Sequence, residues 1–202
     1  MNLRKLFGSS HKEIWKRLAD ELGGRHVDAG RWKADKLQVE HGEWTVTLDT
    51  ATVMVGKVPV TYSRFRAPYV NPEGFRFTIY RKSFGSDVGK WFGLQDVEVG
   101  HASFDRDFII KGTDERALKR LFDDGDVRRL LERQKDVRLF VKDDEGWFGA
   151  KYPPQTDLLE CTLAGLVTDP QRLKDSFELF GVVLERLCLI GAAYEDDPGL
   201  EL

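Results

Sequence analysis

Alternation of apolar and polar residues with a period of two is the pattern that most restricts how this chain can fold. It begins near Leu37 and returns in runs rich in β-branched and aromatic residues, separated by turn residues. Because successive side chains of a strand point to opposite faces, these runs predict antiparallel strands that each bury one face. They lie at residues 37–48, 58–63, 75–80, 96–99, 104–111, 137–142 and 158–167.

One of these runs contains a proline. Within residues 58–63, Val58, Val60 and Tyr62 are expected to share one face of the strand, with more polar residues between them. Proline has no N–H to donate to a neighbouring strand. Pro59 therefore predicts that the first part of this strand is an edge or a bulge.

Apolar residues with helical spacing mark two segments outside these runs. A helix is predicted over residues 10–22, because Ser10 and Glu13 have the spacing of a capping box and Gly23-Gly24 can end the helix. A second helical segment is predicted near residues 113–134, with Thr113 as its N-cap.

The last helix has the strongest local signals. Asp169 is expected as its N-cap, and Pro170 is expected at the first helical position, where a missing N–H costs nothing. An apolar stripe then continues to about Tyr194. The acidic tail, residues 195–202, is expected to fray.

The order of these elements predicts the fold class. Strands, helix, strands and helix follow one another, which is typical of an α+β protein and not of a parallel sheet. No repeat or linker divides the chain, so a single domain is expected over residues 1–202. We expect a twisted, mainly antiparallel sheet of about seven or eight strands that packs on the long C-terminal helix.

The composition excludes several classes of protein. With 19 glycines, 7 prolines and 2 cysteines in 202 residues, the chain is neither collagen-like nor a disulfide scaffold. It has no run of roughly 18–20 apolar residues that could span a membrane, and its first residues lack the apolar core of a signal peptide. We therefore expect a cytoplasmic protein in which Cys161 and Cys188 are reduced, buried apolar residues.

The net charge of −3 hides an uneven distribution. Residues 1–95 carry 16 basic and 10 acidic residues, whereas residues 96–202 carry 15 and 24. Between Lys57 and Lys90 there are seven basic residues and only two acidic ones. This region predicts a basic surface on the sheet, which we define by six of its residues: Lys57, Arg64, Arg66, Arg76, Arg81 and Lys82.

The strand pattern adds aromatic residues to the basic surface. Arg64 and Arg66 are expected to share a face with Tyr62, and Arg76 to share a face with Tyr80 and Lys82 on a neighbouring strand. Such a surface can bind an acidic protein or a phosphate-bearing ligand. Nucleic acid is not favoured, because the pI is about 5.9 and no RNA-recognition motif occurs. The alternative is a solvated sheet face, or one that pairs with the acidic half of the chain.

The motifs of common enzymes are incomplete. Gly85–Trp91 resembles a phosphate loop, but three residues instead of four separate its glycines, and Trp91 replaces the required hydroxyl. The four histidines lack metal-binding spacing, so no metal site and no cofactor are predicted. Asp105 and Asp107 would lie on the same face of the strand predicted at 104–111. Repulsion between them could raise one pKa, which makes them the alternative acid/base pair.

Three strings resemble segments of uncharacterised bacterial proteins. Phe104–Glu115, an F-D-x-x-F strand and an acidic turn before a helix, is similar to the domain of unknown function 3137 family. Thr78–Lys82 and Asp143–Phe148 resemble parts of conserved hypothetical proteins. The resemblance covers about residues 75–190 and implies an uncharacterised α+β domain with no established activity. Family members often have a membrane-spanning segment before the domain, and this sequence shows none.

Two functions are therefore expected. The first is a non-enzymatic binding or scaffold module that uses the basic surface around residues 57–90. The alternative is an enzyme or a small-ligand-binding protein with a pocket between the sheet and the C-terminal helix, using Asp105, Asp107 or a histidine.

Overall fold

A computed structural model describes residues 11–28, 35–84, 94–143, 152–196, 198–200 and 202. Within these residues there are nine strands and five α-helices. The strands are β1 (Arg25–Val27), β2 (Lys36–His41), β3 (Trp44–Val55), β4 (Val58–Val70), β5 (Phe77–Arg81), β6 (Gln95–Asp96), β7 (Phe108–Gly112), β8 (Val137–Lys142) and β9 (Thr156–Ala164). The helices are α1 (His11–Leu22), α2 (Ala102–Asp107), α3 (Glu115–Phe122), α4 (Gly125–Arg133) and α5 (Pro170–Leu189). A short 3-10 turn, Lys82–Phe84, follows β5.

The nine described strands form one open sheet in the order β1-β2-β3-β4-β9-β8-β5-β7-β6. Every described strand pair is antiparallel. The predicted α+β class and the mainly antiparallel sheet are confirmed, and the sheet has nine strands instead of seven or eight. The strand without a counterpart in the prediction, β1, contains only three residues and leaves little periodic signal in the sequence.

The helices cover one face of the sheet, which we call the helical face. Alternate strand residues such as Leu48, Phe65 and Ile79 are fully buried there. The Phe65 ring packs edge-to-face on Phe177 of α5 at 5.1 Å, and lies 6.1 Å from Phe180. Apolar residues from the other helices, such as Trp15, Phe104, Leu121 and Leu130, join the same core. We call the other side of the sheet the polar face.

The strand predicted over residues 104–111 is wrong in its first half. Residues Ala102–Asp107 form helix α2, and only Phe108–Gly112 form a strand. Phe104 and Phe108 stack with their ring centroids 4.6 Å apart, so an apolar pair separated by four residues belongs to a helical turn and not to an alternating strand. The strand predicted at 96–99 also shortens, to Gln95–Asp96.

Helix ends differ from the prediction at two places. Asp114, and not Thr113, is the N-cap of α3, because its carboxylate accepts hydrogen bonds from the N–H groups of Arg116 and Ala117. Helix α5 begins after Asp169 as predicted, but it ends at Leu189 instead of near Tyr194. Gly191 adopts a left-handed conformation there, with φ of 79°, which closes the helix. Ser10 of the predicted capping box lies outside the described residues.

Candidate functional site

The strand order separates the two halves of the predicted basic surface. Arg64 and Arg66 lie on β4, whereas Arg81 ends β5, and β9 and β8 lie between these two strands. Arg76 precedes β5, and Lys82 follows it in the 3-10 turn. The expectation that these two groups of cations lie on neighbouring strands was wrong, because β9, and not β5, pairs with β4.

The first half of the basic surface forms a buried ionic cluster on the polar face, consisting of Asp49, Arg64, Arg66 and Glu160. The Asp49 carboxylate accepts two hydrogen bonds from Arg64, at 2.8 and 2.9 Å, and one from Arg66 at 2.6 Å. Glu160 of β9 lies directly across from Arg66 in the strand register. Arg66 is only 5% exposed. These two arginines therefore meet acidic groups of their own chain.

Glu160 is the least satisfied member of the ionic cluster. It is 7% exposed, and its buried Oε2 has no hydrogen-bond partner within the described residues. Burial raises the pKa of Glu160 above its ordinary value, although Arg64, Lys142 and Arg66 oppose the change. Burial of the charged form therefore outweighs the neighbouring cations in setting the direction of this change.

The raised pKa of Glu160 gives a pH-dependent prediction. The folded protein holds this proton more tightly than the unfolded chain, so the stabilisation is present at low pH and is lost as pH rises through the folded pKa. We expect the stability of the wild type relative to Glu160→Gln to increase as pH falls from neutral towards 4.5, the ordinary value. Urea unfolding of both proteins at several pH values measures it. An unchanged or opposite difference would contradict the assignment.

The second half of the basic surface consists of Arg76, Arg81 and Lys82, and these three cations also have partners in the chain. Arg76 forms an ion pair with Asp143 at 2.9 Å. Arg81 donates to the backbone carbonyls of Glu132 and Gln134 and lies 3.8 Å from Asp107. Lys82 donates to the backbone carbonyl of Asp105 at 3.0 Å. The structure thus brings together two sets of residues that the sequence had placed in separate candidate sites.

Asp105 and Asp107 do not form the predicted acid/base pair on a strand. Both lie in helix α2, where residues two apart point in different directions. The two Asp105 oxygens accept hydrogen bonds from the N–H groups of Val99 and Gly100, both at 2.9 Å, and hold the preceding loop. The structure gives this pair no shared proton site.

The space between the sheet and α5 is filled by side chains. Phe65, Phe180 and Leu184 are fully buried at this contact, and Phe177 is nearly so. Cys161, also on the helical face, is fully buried, and burial raises the pKa of its thiol. No group of three or more histidine, cysteine or acidic residues suited to a metal occurs in the described part of the chain. The phosphate-loop-like segment 85–91 lies outside the described residues.

A pocket of about 550 Å³ lies on the polar face beside β1, β2 and β3. It is lined by the turn after α1, by Gln38, Thr45 and Thr47, and by tail residues that include Leu200. Arg25 borders it and donates to Gln38 at 2.8 Å. None of the residues predicted as candidates lines this pocket. The predicted fraying of the acidic tail, residues 195–202, stays a prediction.

Lys57 occupies a different environment from the other five cations. It lies with Gly56 in the turn between β3 and β4, is exposed, and has no ion pair with any residue that the structure describes. The two strands pair with each other from Thr47↔Arg66 to Val55↔Val58. However, β2 pairs with β3 only as far as Leu48, and the ladder between β4 and β9 starts at Ser63. Residues 50–62 therefore form an extension of two strands, which we call the arm. Within the described residues, its backbone pairs outside the hairpin only at its base, where Gly165 bridges Tyr62.

The arm exposes apolar side chains to solvent. Met54 and Val58 are 63% and 62% exposed, and Val53 and Val55 are 47% and 45% exposed. The alternation of residues 58–62 predicted that Val58, Val60 and Tyr62 share a buried face. This was wrong for Val58, which is exposed. The strands form as expected, but no described helix packs on this part of the sheet.

The apolar residues also change sides along the hairpin. In β3, Trp44, Val46 and Leu48 point to the helical face, whereas Ala51, Val53 and Val55 have the opposite parity and point to the polar face. Their partners in the register, Val58, Val60 and Tyr62, lie on that same side. A reading of the sequence could have found the arm from this change of phase between Leu48 and Ala51.

The fold defined by these elements is an open antiparallel sheet covered by helices on one face. No protein-family model and no curated protein matches the sequence. The crystal structure of the mycobacterial trehalose monomycolate transport factor A, TtfA, is similar, with a TM-score of 0.54. The match covers 88% of this chain and 94% of TtfA at 8% sequence identity, so it concerns the fold alone. The resemblance to the domain of unknown function 3137 family stays a prediction.

Among the described residues, no helix is both long enough and apolar enough to cross a bilayer.

Proposed function

We propose that the protein is a non-enzymatic binding module that contacts its partner through the arm, residues 50–62. The observation that carries this proposal is the exposure of Val53, Met54, Val55 and Val58 on a projecting hairpin. Isolated hairpins are marginally stable in water, and clustered exposed apolar residues mark interaction sites. A partner that covers the arm removes this apolar surface from water.

The proposal retains one residue of the predicted basic surface as a direct contact, Lys57. The other five cations have partners within the chain, and Arg66 is buried. An acidic or phosphate-bearing partner therefore meets its cation at the end of the arm. The cytoplasmic location predicted from the sequence belongs to the same proposal.

The alternative, an enzyme or ligand-binding protein with a pocket beside α5, has less support. The aromatic residues at that contact leave it closed, and Asp105 is engaged by backbone N–H groups. TtfA is described as a transport factor, and a role in binding agrees with that description. At 8% identity this agreement is a minor argument beside the exposure of the arm.

Site-specific photo-crosslinking in cells tests the proposal. A photoreactive residue in place of Met54 should form an adduct, because the partner is expected to cover this side chain, which is 63% exposed at the end of the arm. The matched control is the same residue in place of Leu189, which is 72% exposed at the end of α5. We expect the Met54 adduct to be strong and the Leu189 adduct to be absent.

The mass of the adduct identifies the class of partner as lipid, a second copy or another macromolecule. Equal labelling at the two positions, or no adduct at Met54, would refute the arm as the contact surface.

A further inference from the structure

We infer that the partner of the arm is an anionic lipid bilayer, at whose surface the end of the hairpin inserts among the headgroups. This inference rests on the proposed function, since it requires the arm to be the contact surface. It concerns peripheral attachment through a β-hairpin and involves no membrane-spanning segment.

The end of the arm is apolar on both faces. Val53, Val55, Val58 and Val60 lie on one face, and Met54 with its partner Pro59 lies on the other. A protein partner that docks on a hairpin covers one face, and the second face then needs no apolar residues. Behind the turn that holds Lys57, apolar side chains on both faces suit a medium that surrounds them, as the acyl boundary of a bilayer does.

Polar residues on one face of the arm begin directly behind this apolar end. Thr52 and Thr61 face each other there, and their hydroxyl oxygens are 3.1 Å apart. On the opposite face, Tyr62 pairs with Ala51 at the base of the arm, and tyrosine favours the boundary between apolar and aqueous regions. The order of apolar end, hydroxyl groups and aromatic ring matches the change in polarity across a membrane interface.

The charge of the arm favours an anionic surface. Lys57 is its single charged residue, and no acidic residue occurs between Asp49 and Glu73 in the sequence. Lysine beside an apolar surface extends its ammonium group to the polar layer, where it meets lipid phosphate. An acidic residue at this end would have been repelled by the same surface.

No strand of the described residues pairs with the outer edges of the arm near its turn, and this limits how deep the arm can insert. Backbone N–H and C=O groups without partners are too costly in the hydrocarbon layer, so the strands stay at the level of the headgroups and only the apolar side chains of the end reach the acyl boundary. Six residue pairs, from Thr50↔Ser63 to Val55↔Val58, give it a length of about 20 Å. This is enough to bring the apolar end to the interface while the rest of the sheet stays in water.

Pro59 disfavours the addition of a strand from a second copy at the β4 edge of the arm. Gly165 donates to the Thr61 carbonyl at 2.9 Å and accepts from the Ser63 N–H at 2.8 Å. At this edge the odd-numbered residues of β4 therefore direct their backbone N–H and C=O groups away from β3. Pro59 has the same parity and has no N–H for an added strand. This edge is protected against strand addition, as exposed edges often are.

Co-sedimentation of the full chain with vesicles tests the inference. We expect binding to phosphatidylcholine vesicles that contain phosphatidylglycerol, and weaker binding to phosphatidylcholine alone. Val53→Thr/Val55→Thr/Val58→Thr should reduce the partition coefficient at least about tenfold, because three apolar side chains lose their transfer free energy. Threonine is a good strand former, so the hairpin is retained. Lys57→Gln should reduce binding to the anionic vesicles by about fivefold.

Leu189→Gln is the matched control, since it removes an exposed apolar residue outside the arm. It should leave the partition coefficient unchanged, and thermal unfolding verifies that each variant is folded. Absence of wild-type binding, or equal binding by the triple variant, would overturn the bilayer. If a protein or a second copy is then crosslinked at Met54, the proposed function survives without the lipid. If no adduct forms either, both proposals fail.

Discussion

Replacing Asp49 with alanine is expected to lower the free energy of unfolding by about 3–5 kcal/mol, because it breaks a buried ion pair and leaves the cation behind. Asp49 accepts hydrogen bonds from both Arg64 and Arg66. The Arg66 side chain is 6% exposed, so water cannot replace the lost carboxylate. Denaturant unfolding monitored by circular dichroism measures the change.

The matched control for this experiment is Asp143→Ala. Asp143 also pairs with an arginine, Arg76, but the two side chains are 51% and 42% exposed. Exposed pairs contribute only about 0–1 kcal/mol, so this variant should be close to the wild type. Similar losses in the two variants would show that the ionic cluster does not depend on burial.

The difference in burial between these cations also decides how the basic surface can be tested. Reversing Arg66 to glutamate would place a third carboxylate beside Asp49 and Glu160 and would unfold part of the sheet. Loss of binding in such a variant would then report on stability. Lys57 is exposed in the turn of the arm, so its substitution reports on binding.

The second large effect is expected for Phe65→Ala, which should cost about 3–5 kcal/mol. Phe65 is fully buried, and its ring packs against Phe177 and Phe180 of α5. Alanine would leave a cavity at the main contact between the sheet and this helix. Thermal or denaturant unfolding gives the loss directly.

Val58→Ala on the same strand is the comparison. Val58 is 62% exposed in the arm, so its truncation should change stability by less than about 0.5 kcal/mol. A large loss at Val58 would mean that the arm is packed in solution, which would contradict the proposed function as well. A small loss at Phe65 would contradict the described contact with α5.

The candidate site was only partly predictable from the sequence. The sequence named the basic residues but not their partners, which come from distant parts of the chain: Asp49 from β3 and Asp143 after β8. Asp105 and Asp107 were assigned to a strand because a short apolar pattern such as Phe104 to Phe108 fits two periods. Lys57 was named among six cations, and nothing local distinguished it from the rest.

Local pattern alone determined the class of this protein. The period-two runs, the caps at Asp169 and Pro170 and the order of elements led to an α+β fold with an antiparallel sheet, because these signals act between residues close in sequence. Tertiary structure decided which faces are covered. Strand β9 joins β4 only from Ser63 onward, and the helices pack on Phe65 but not on Val58. Alternation therefore builds core in one half of the hairpin and, after its change of phase, an exposed arm in the other.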